Sequence, residues 1–259
     1  MYKINFRSIL KKINRFFLLV GFSLNNLKNL IFIFQFIGQK REWIKQGGEI
    51  NENYIILSDY KENAGVIKGH YFHQDLLVSG FIFENKPKRH IDIGSRIDGF
   101  VSSVASYRKI EILDIRSLPT SGHKNIIFKQ ADLTKNNDMG KTDSISCLHA
   151  IEHFGMGRYG DEIDIKGHEK GLKNIVDLLE KEGILYLSFP IGNSDSVHFN
   201  AHRIFHPKTI FSIDSISKNM KLVRFDYVDD YGDLHQDVKI ETADINVKFG
   251  CGIYTFKKI

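Results

Sequence analysis

The feature that most constrains this chain is a train of short, nearly continuous apolar runs, each followed by a turn and a helical pattern, that starts at Arg89. Residues 89–93, 110–115, 126–129, 144–148 and 184–189 read as strands, and 97–107, 166–179 and 207–217 as helices. In 166–179 the apolar positions Leu172, Ile175, Val176 and Leu179 fall at helical spacing. Gly183 closes the turn that follows, and Pro190 ends the uninterrupted run 184–189, which suits a strand buried on both faces. Pro207 suits the first turn of a helix, where a missing N–H costs nothing. Strands alternating with helices imply a mostly parallel sheet covered on both sides. The runs 221–228 and 250–257, with no helix between them, predict a closing antiparallel hairpin and seven strands in all.

Upstream the pattern changes. Residues 1–48 form an arm, and 49–65 a polar connector with a short strand expected at 54–57. A helix is expected over 71–83, with Leu76, Leu77, Phe81 and Phe83 as its apolar positions, stopped by Pro87. The division expected is an arm (1–48), a connector with a helical lid (49–87) and an α/β domain (88–259). Through Lys45 the arm carries nine basic side chains against Glu42 alone, so a chain of net charge +5 leaves −3 for the remainder. Basicity confined to one end is not the footprint of a nucleic-acid-binding fold. The arm's apolar runs, 16–22 and 30–38, are separated by Asn25, Asn26, Lys28 and Asn29, and each is shorter than the roughly 20 residues a bilayer span needs. A signal peptide around 11–21 lacks a convincing small-residue cleavage site. The arm therefore reads as a pair of basic amphipathic helices that dock on a protein surface or lie on an anionic membrane. Cys147 and Cys251 sit in apolar strand-like runs with no CxxC spacing, which predicts reduced, buried thiols and a cytoplasmic protein, with peripheral inner-membrane attachment as one role for the arm.

Four places carry chemistry. In His90-Ile91-Asp92-Ile93-Gly94-Ser95-Arg96-Ile97-Asp98-Gly99 a strand closes on an acid and Gly94 follows, letting backbone approach a ligand with no Cβ in the way. Arg96 occupies the middle position of what would be a GxGxxG loop. Asp114 closes the next strand, where a carboxylate grips a ribose hydroxyl pair. In Gln130-Ala131-Asp132-Leu133, after the third strand, an acid can accept from an exocyclic adenine amine. All three lie at carboxyl ends of parallel strands, where such sheets bind ligands. The fourth place is Leu148-His149-Ala150-Ile151-Glu152-His153.

Here the chain resembles class I S-adenosylmethionine-dependent methyltransferases, in which an L-x-x-x-E-H element follows strand four. Residues 179–190 are similar to their L-L-x-x-G-G-x-L helix-to-strand turn, with Ile184 in place of the second Gly. More narrowly, two blocks, residues 148–161 and 190–205, resemble a bacterial domain-of-unknown-function family often found among surface-polysaccharide genes. The resemblance spans roughly 65–215 and implies a Rossmann-like methyltransferase fold binding S-adenosylmethionine. Carried over residue by residue, it implies that Asp92, Gly94 and Gly99 shape the methionine loop and Asp114 holds the ribose. Asp132, with Leu133, borders the adenine, and His149 borders the donor. It makes His153, Glu152, His198 and His202 candidate bases. Arg158, Tyr159, Asp161, Asn200 and Arg203 become candidates to hold a polar acceptor such as a sugar or glycan precursor, methylated at oxygen. Methyl transfer is a displacement at a sulfonium, needing an aligned acceptor and often a base.

Two rivals stand beside it. One is a methyltransferase-like scaffold of glycan assembly without methyl transfer. The other is a metal-dependent enzyme using histidines four apart, His149 and His153 or His198, His202 and His206, which share a face if helical. Pro207 and the loop-like surroundings of the second set favour cleft hydrogen bonding over metal, and no metal ligand is assigned.

Overall fold

A computed structural model describes residues 28–119, 122–135 and 139–259. The chain divides into two units, Met1–Val66 and Ile67–Ile259.

In the first unit a 3₁₀ turn (Leu30–Phe32) leads into α1 (Ile33–Lys45), which buries none of its residues. The Trp43 indole N–H donates to the Glu49 carbonyl (3.1 Å), and Phe32 packs on Tyr60. Phe34 and Trp43 are exposed. α1 is the second of the two expected amphipathic helices. The first, with the run 16–22 and the segment 11–21, lies outside the described residues. No strand forms at 54–57, because Tyr54, Ile55 and Ile56 are exposed and no neighbouring strand offers them hydrogen bonds. Among the described residues, no helix is long and apolar enough to cross a membrane.

The second unit is built on one sheet. Its strands are β1 (His90–Ile93), β2 (Ile110–Asp114), β3 (Ile126–Gln130), β4 (Thr142–Leu148), β5 (Leu179–Ile191), β8 (Met220–Val228), β9 (Leu234–His235) and β10 (Gly250–Lys258). Their spatial order is β3-β2-β1-β4-β5-β10-β8-β9. The first five pair in parallel, while β10 runs antiparallel to both β5 and β8. The expected architecture is present with one strand more than the seven read from sequence, the two-residue β9. A separate hairpin joins β6 (Ser196–His198) to β7 (His202–Ile204). The sheet's helices are α2 (His70–Asn85), α3 (Ser102–Ala105), α4 (Gly167–Leu178) and α5 (Asp214–Asn219).

Burial on both faces explains the apolar runs. One face packs Ile91, Ile93, Ile145 and Leu187 with Leu172, Ile175 and Val176 of α4, and the other packs Ile112, Tyr186 and Ile253 with Val78 and Ile82 of α2. The buried side of α2 is Gln74, Val78, Ser79 and Ile82, while Leu76 and Phe83, expected to be among its apolar contacts, are exposed. Its polar members escaped a reading that counts apolar residues alone. The helix expected at 97–107 opens as a wide π turn (Ile97–Val101) before α3. The one expected at 207–217 is split into a 3₁₀ turn (Thr209–Ser212) and α5, with Ile213 extended between them.

A polar thread crosses the apolar middle of the sheet. The register sets His90 beside Ser144 and Asp92 beside Ser146. Ser146 donates to Asp92 Oδ1 (2.6 Å), so its oxygen accepts from His90 Nε2 (3.1 Å), and His90 Nδ1 accepts from Ser144 (2.8 Å). All four side chains are buried. Burial drives both ionisable members toward neutrality. The His90 pKa falls to about 3, with Arg108 adding to the drop and Asp143 opposing it. Burial lifts that of Asp92 to about 6 against the hydrogen bonds of Ser146 and Ser95, with Asp75 reinforcing the rise.

The two groups have opposite linkage signs. Between pH 4 and 6 the unfolded chain carries a proton on histidine that folded His90 lacks, so His90 makes stability rise with pH. In the same window folded Asp92 keeps a proton its unfolded form has lost, so Asp92 makes stability fall with pH. In the wild type the slopes cancel. Denaturant titrations at several pH values should show His90→Gln changing by about −1.4 kcal/mol per pH unit relative to wild type, and Asp92→Asn by about the same with the opposite sign. Parallel pH profiles for all three proteins would refute this assignment.

Candidate functional site

The carboxyl ends of β1, β2, β3 and β4 open into one crevice. It is lined by Gly94 after β1, Asp114 and Arg116 after β2, Asp132, Leu133 and Thr134 after β3, and His149 and Ala150 after β4. His153, Phe154, Tyr159 and Asp161 close the far wall.

Gly94 sits at φ +69°, a conformation that side-chain-bearing residues adopt at a cost, and a Cβ there would lie 3.0 Å from the Ala150 Cβ. Its turn is held from below, since Asp92 accepts from the Ser95 backbone N–H (3.2 Å) and hydroxyl (2.7 Å). Asp92 is fully buried and shapes this floor without facing the crevice. Gly99 also faces elsewhere: a Cβ there would meet the Asp75 carboxylate at 2.5 Å, so this glycine lets α2 approach the π turn.

Asp114 Oδ1 accepts from the backbone N–H of Arg116 (2.8 Å) and its Nε (2.9 Å), and Oδ2 from its Nη2 (2.6 Å). The Arg116 guanidinium lies 4.5 Å over the Tyr159 ring and so bridges the crevice mouth. Asp132 accepts from the Thr134 N–H (2.9 Å) and hydroxyl (2.6 Å), fixing the turn after β3, while Leu133 is buried beside it.

His149 is a non-glycine residue at φ +49°. Its N–H donates to the Ser188 carbonyl (3.0 Å), and its Nδ1 lies 2.8 Å from Glu152 Oε1. Burial opposes charge on this ring, but Cys251 and Glu152 beside it raise its pKa well above the usual value. His153 lies edge-on to Tyr159, its Nε2 3.8 Å from Glu152 Oε1. Burial lowers its pKa, outweighing the attraction of Glu152, so the ring is neutral near pH 7.

The remaining candidates part company. Arg203 is buried and donates to the Phe154 (2.7 Å) and Glu152 (3.2 Å) carbonyls, which braces the turn holding Glu152 and His153. Arg158 donates to the Ala201 carbonyl (2.8 Å). Asn200 is at φ +63° in the β6–β7 turn, and His198 and His202 are cross-strand partners with rings 5.2 Å apart. Neither histidine series lies on an α-helix, so the shared helical face required by the metal reading does not exist: His149 precedes a 3₁₀ turn, and the second set spans a hairpin. Sequence reading missed Arg116, Thr134 and Phe154. Arg116 had a signal, a cation two residues after a strand-ending acid.

Several buried polar atoms here have no hydrogen-bond partner among the described residues. They include His149 Nε2, Glu152 Oε2, His153 Nδ1, Asp161 Oδ2 and His202 Nε2. Buried polar atoms are normally paired, and leaving one unpaired costs about 1–3 kcal/mol. Two of these five atoms, on His153 and Asp161, belong to residues of the far wall.

Comparisons with known proteins fit this geometry. The N-methyltransferase NodS from Bradyrhizobium japonicum WM9, solved with S-adenosyl-l-homocysteine, superposes with a TM-score of 0.51 and 11% identity, over 73% of this chain and 88% of its own. The [4+2]-cyclase SpnF gives a TM-score of 0.53 and 12% identity, over 86% of this chain and 95% of its own. The fold is that of class I methyltransferases. Residues 122–250, just short of half the chain, match a family model described as Caenorhabditis protein of unknown function, DUF268. That is not the bacterial surface-polysaccharide family expected from sequence, and its description carries no glycan role. No curated protein matches the chain.

The Gly94 turn gives a direct test. Gly94→Ala should cost about 2 kcal/mol in denaturant melts, from the positive φ and the crowding of Ala150. Gly80→Ala, in the interior of α2 with open space around it, should gain about 0.5–1 kcal/mol. Equal effects at the two positions would remove the special role given to Gly94.

Proposed function

We propose that this protein binds S-adenosylmethionine in the crevice and transfers its methyl group to a small polar acceptor. The observation that carries the reading is the convergence of Gly94, Asp114, Asp132 and His149 on one crevice at the ends of four parallel strands. Gly94 admits the methionine part, Asp114 takes the ribose hydroxyls, and Asp132 takes the adenine amine beside Leu133. Asp114 Oδ2 accepts one bond from Arg116, so acceptor capacity is left for a hydroxyl. Asp92 acts by fixing the loop, as a positioning residue. The neighbour NodS carries S-adenosyl-l-homocysteine in its structure, which supports the same cofactor here, whereas the cyclase SpnF has the same fold and another activity. The site's own chemistry must therefore carry the argument.

That chemistry favours proton removal. His153, neutral and beside Glu152, is the base for an acceptor hydroxyl, and Asp161 orients the acceptor from the same wall. Tyr159, under the Arg116 guanidinium, closes the mouth and limits water. His198, His202, Arg158 and Asn200 border the acceptor side on the β6–β7 hairpin and the loop against it. A sugar or glycan precursor suits such hydrogen-bonding groups, and oxygen is the favoured atom. The basic arm would hold the domain near a partner or an anionic membrane where such precursors are assembled.

Calorimetry with S-adenosylmethionine and S-adenosylhomocysteine should show binding that weakens tenfold or more in Asp114→Ala, a loss of about 1.4 kcal/mol. No heat with either nucleotide would end the proposal. With an acceptor in hand, His153→Ala should lower kcat by about 10²–10⁴ and leave nucleotide affinity unchanged. The wild-type rate should fall on the acid side below the ordinary histidine pKa of 6.5, as His153 takes up its proton. A pH profile of unchanged shape in His153→Ala would move the base elsewhere.

A further inference from the structure

Beside the crevice a second constellation joins three distant parts of the chain. His70 is the first residue of α2, His149 follows β4, and Cys251 is the second residue of β10. A ligand atom from each lies within 4.8 Å of the other two. The topology explains the meeting. β10 is antiparallel to β5, so its first residues lie at the edge where the parallel strands end. The His70 and His149 rings are 5.3 Å apart, with Phe249 against His70 and Tyr71 against His149 as apolar walls.

We propose that His70, His149 and Cys251 bind one zinc-type divalent cation beside the crevice.

Three observations carry this. First, His149 Nε2 is buried, with the Cys251 thiol as its polar neighbour but no partner in hydrogen-bond geometry among the described residues, and the side chain is only 6% exposed. Second, the other nitrogen of that ring is held by Glu152 at 2.8 Å. A carboxylate on Nδ1–H fixes the tautomer that offers Nε2 to a metal, the arrangement typical of zinc-bound histidine. Third, Cys251 is a free thiol fully buried at the only end of its strand near two imidazoles among the described residues. One thiolate with two imidazoles selects zinc over magnesium or calcium, which prefer oxygen. Binding releases the Sγ proton to solvent, and the metal–sulfur bond forms with the thiolate's electron pair.

A tetrahedral site with bonds of 2.0–2.3 Å needs ligand atoms about 3.5 Å apart, so the triad has to close by at most roughly an ångström on binding. His70 supplies that movement. It stands at the helix start after Gly69, which has φ +96°, and is not fully buried. Gln74, whose Oε1 accepts from Ser188 (2.6 Å) and lies 3.8 Å from Cys251 Sγ, steadies the thiol side. An ion here would lower the pKa of a bound acceptor hydroxyl or thiol, but the site stands whether or not methyl transfer does.

The test uses the full chain, purified without a His tag, stripped with chelator and reloaded with zinc or cobalt(II) alone. Stoichiometric zinc is expected by elemental analysis, and the cobalt protein should show a thiolate-to-metal charge-transfer band and tetrahedral visible bands. Cys251→Ser should lose the charge-transfer band, His70→Ala should weaken binding at least a hundredfold, and Glu152→Gln should weaken it about ten- to a hundredfold. Circular dichroism of each variant verifies the fold. Failure of the wild type to retain either metal, or a charge-transfer band that survives in folded Cys251→Ser, would overturn the proposal. Zinc binding in a protein that ignores S-adenosylmethionine would sustain this site and end the methyl-transfer reading.

Discussion

The Asp92 carboxylate is the interaction on which the rest of the second unit depends. It lies at 0% exposure where β1 ends, and takes hydrogen bonds from Ser146 on the neighbouring strand and twice from Ser95 in the loop above. Those bonds tie the β1–β4 register to the turn that puts Gly94 at positive φ. A buried carboxylate is costly to ionise, and that cost is met by surrounding it with donors instead of a countercharge. An arginine in its place would satisfy the charge but fill the space under the loop. Hydroxyls satisfy it in little volume, and His90 extends the same thread between Ser144 and Ser146. The central strand can then be apolar on one face and polar on the other without exposing either.

That division explains what was legible in the sequence. The β-runs were readable because both sheet faces are covered, so strands such as β5 are nearly unbroken in hydrophobicity. Asp114, Asp132 and Gly94 were readable because each sits one or two steps past a strand end, a position set by topology alone. His198, Asn200 and Arg203 were not separable in this way. They lie within six residues of one another, and only the β6–β7 hairpin decides that Arg203 turns inward to backbone carbonyls while His198 stays outside. Gln74 was missed for a related reason: its polar side chain is 1% exposed on a helix face otherwise recognised by apolar residues. Ile213, extended between two short helical pieces, shows periodicity failing where a turn resets the phase.

The crevice itself has two chemical halves. Toward β2 and β3 the carboxylates are already occupied: Asp114 by Arg116, and Asp132 by Thr134. These partners hold the acids in one geometry, so a ligand entering there would meet a preorganised surface and lose little in ordering it. Toward β4 the situation is reversed, and Glu152, His153 and Asp161 each keep a buried polar atom unpaired. Unpaired groups discriminate strongly, because a ligand lacking the matching donor or acceptor leaves their desolvation uncompensated. In the proposed reading the first half takes the nucleoside and the second the acceptor.

The stability cost of that second half has to be met by the surrounding fold, and the architecture shows where. Arg203 anchors the turn carrying Glu152 and His153 through two backbone carbonyls, and Ile151 and Phe154 pack against the core beside α4. The turn cannot relax to pair its own polar atoms, since its backbone is fixed from both sides. The antiparallel β10 then adds Cys251 to the same edge, which no all-parallel continuation of the sheet would do, because it would place the strand's beginning at the opposite end. Reversal of one strand thus brings a thiol beside two imidazoles at the rim of the crevice. This rim owes its distinct chemistry to that reversal more than to any single motif along the chain.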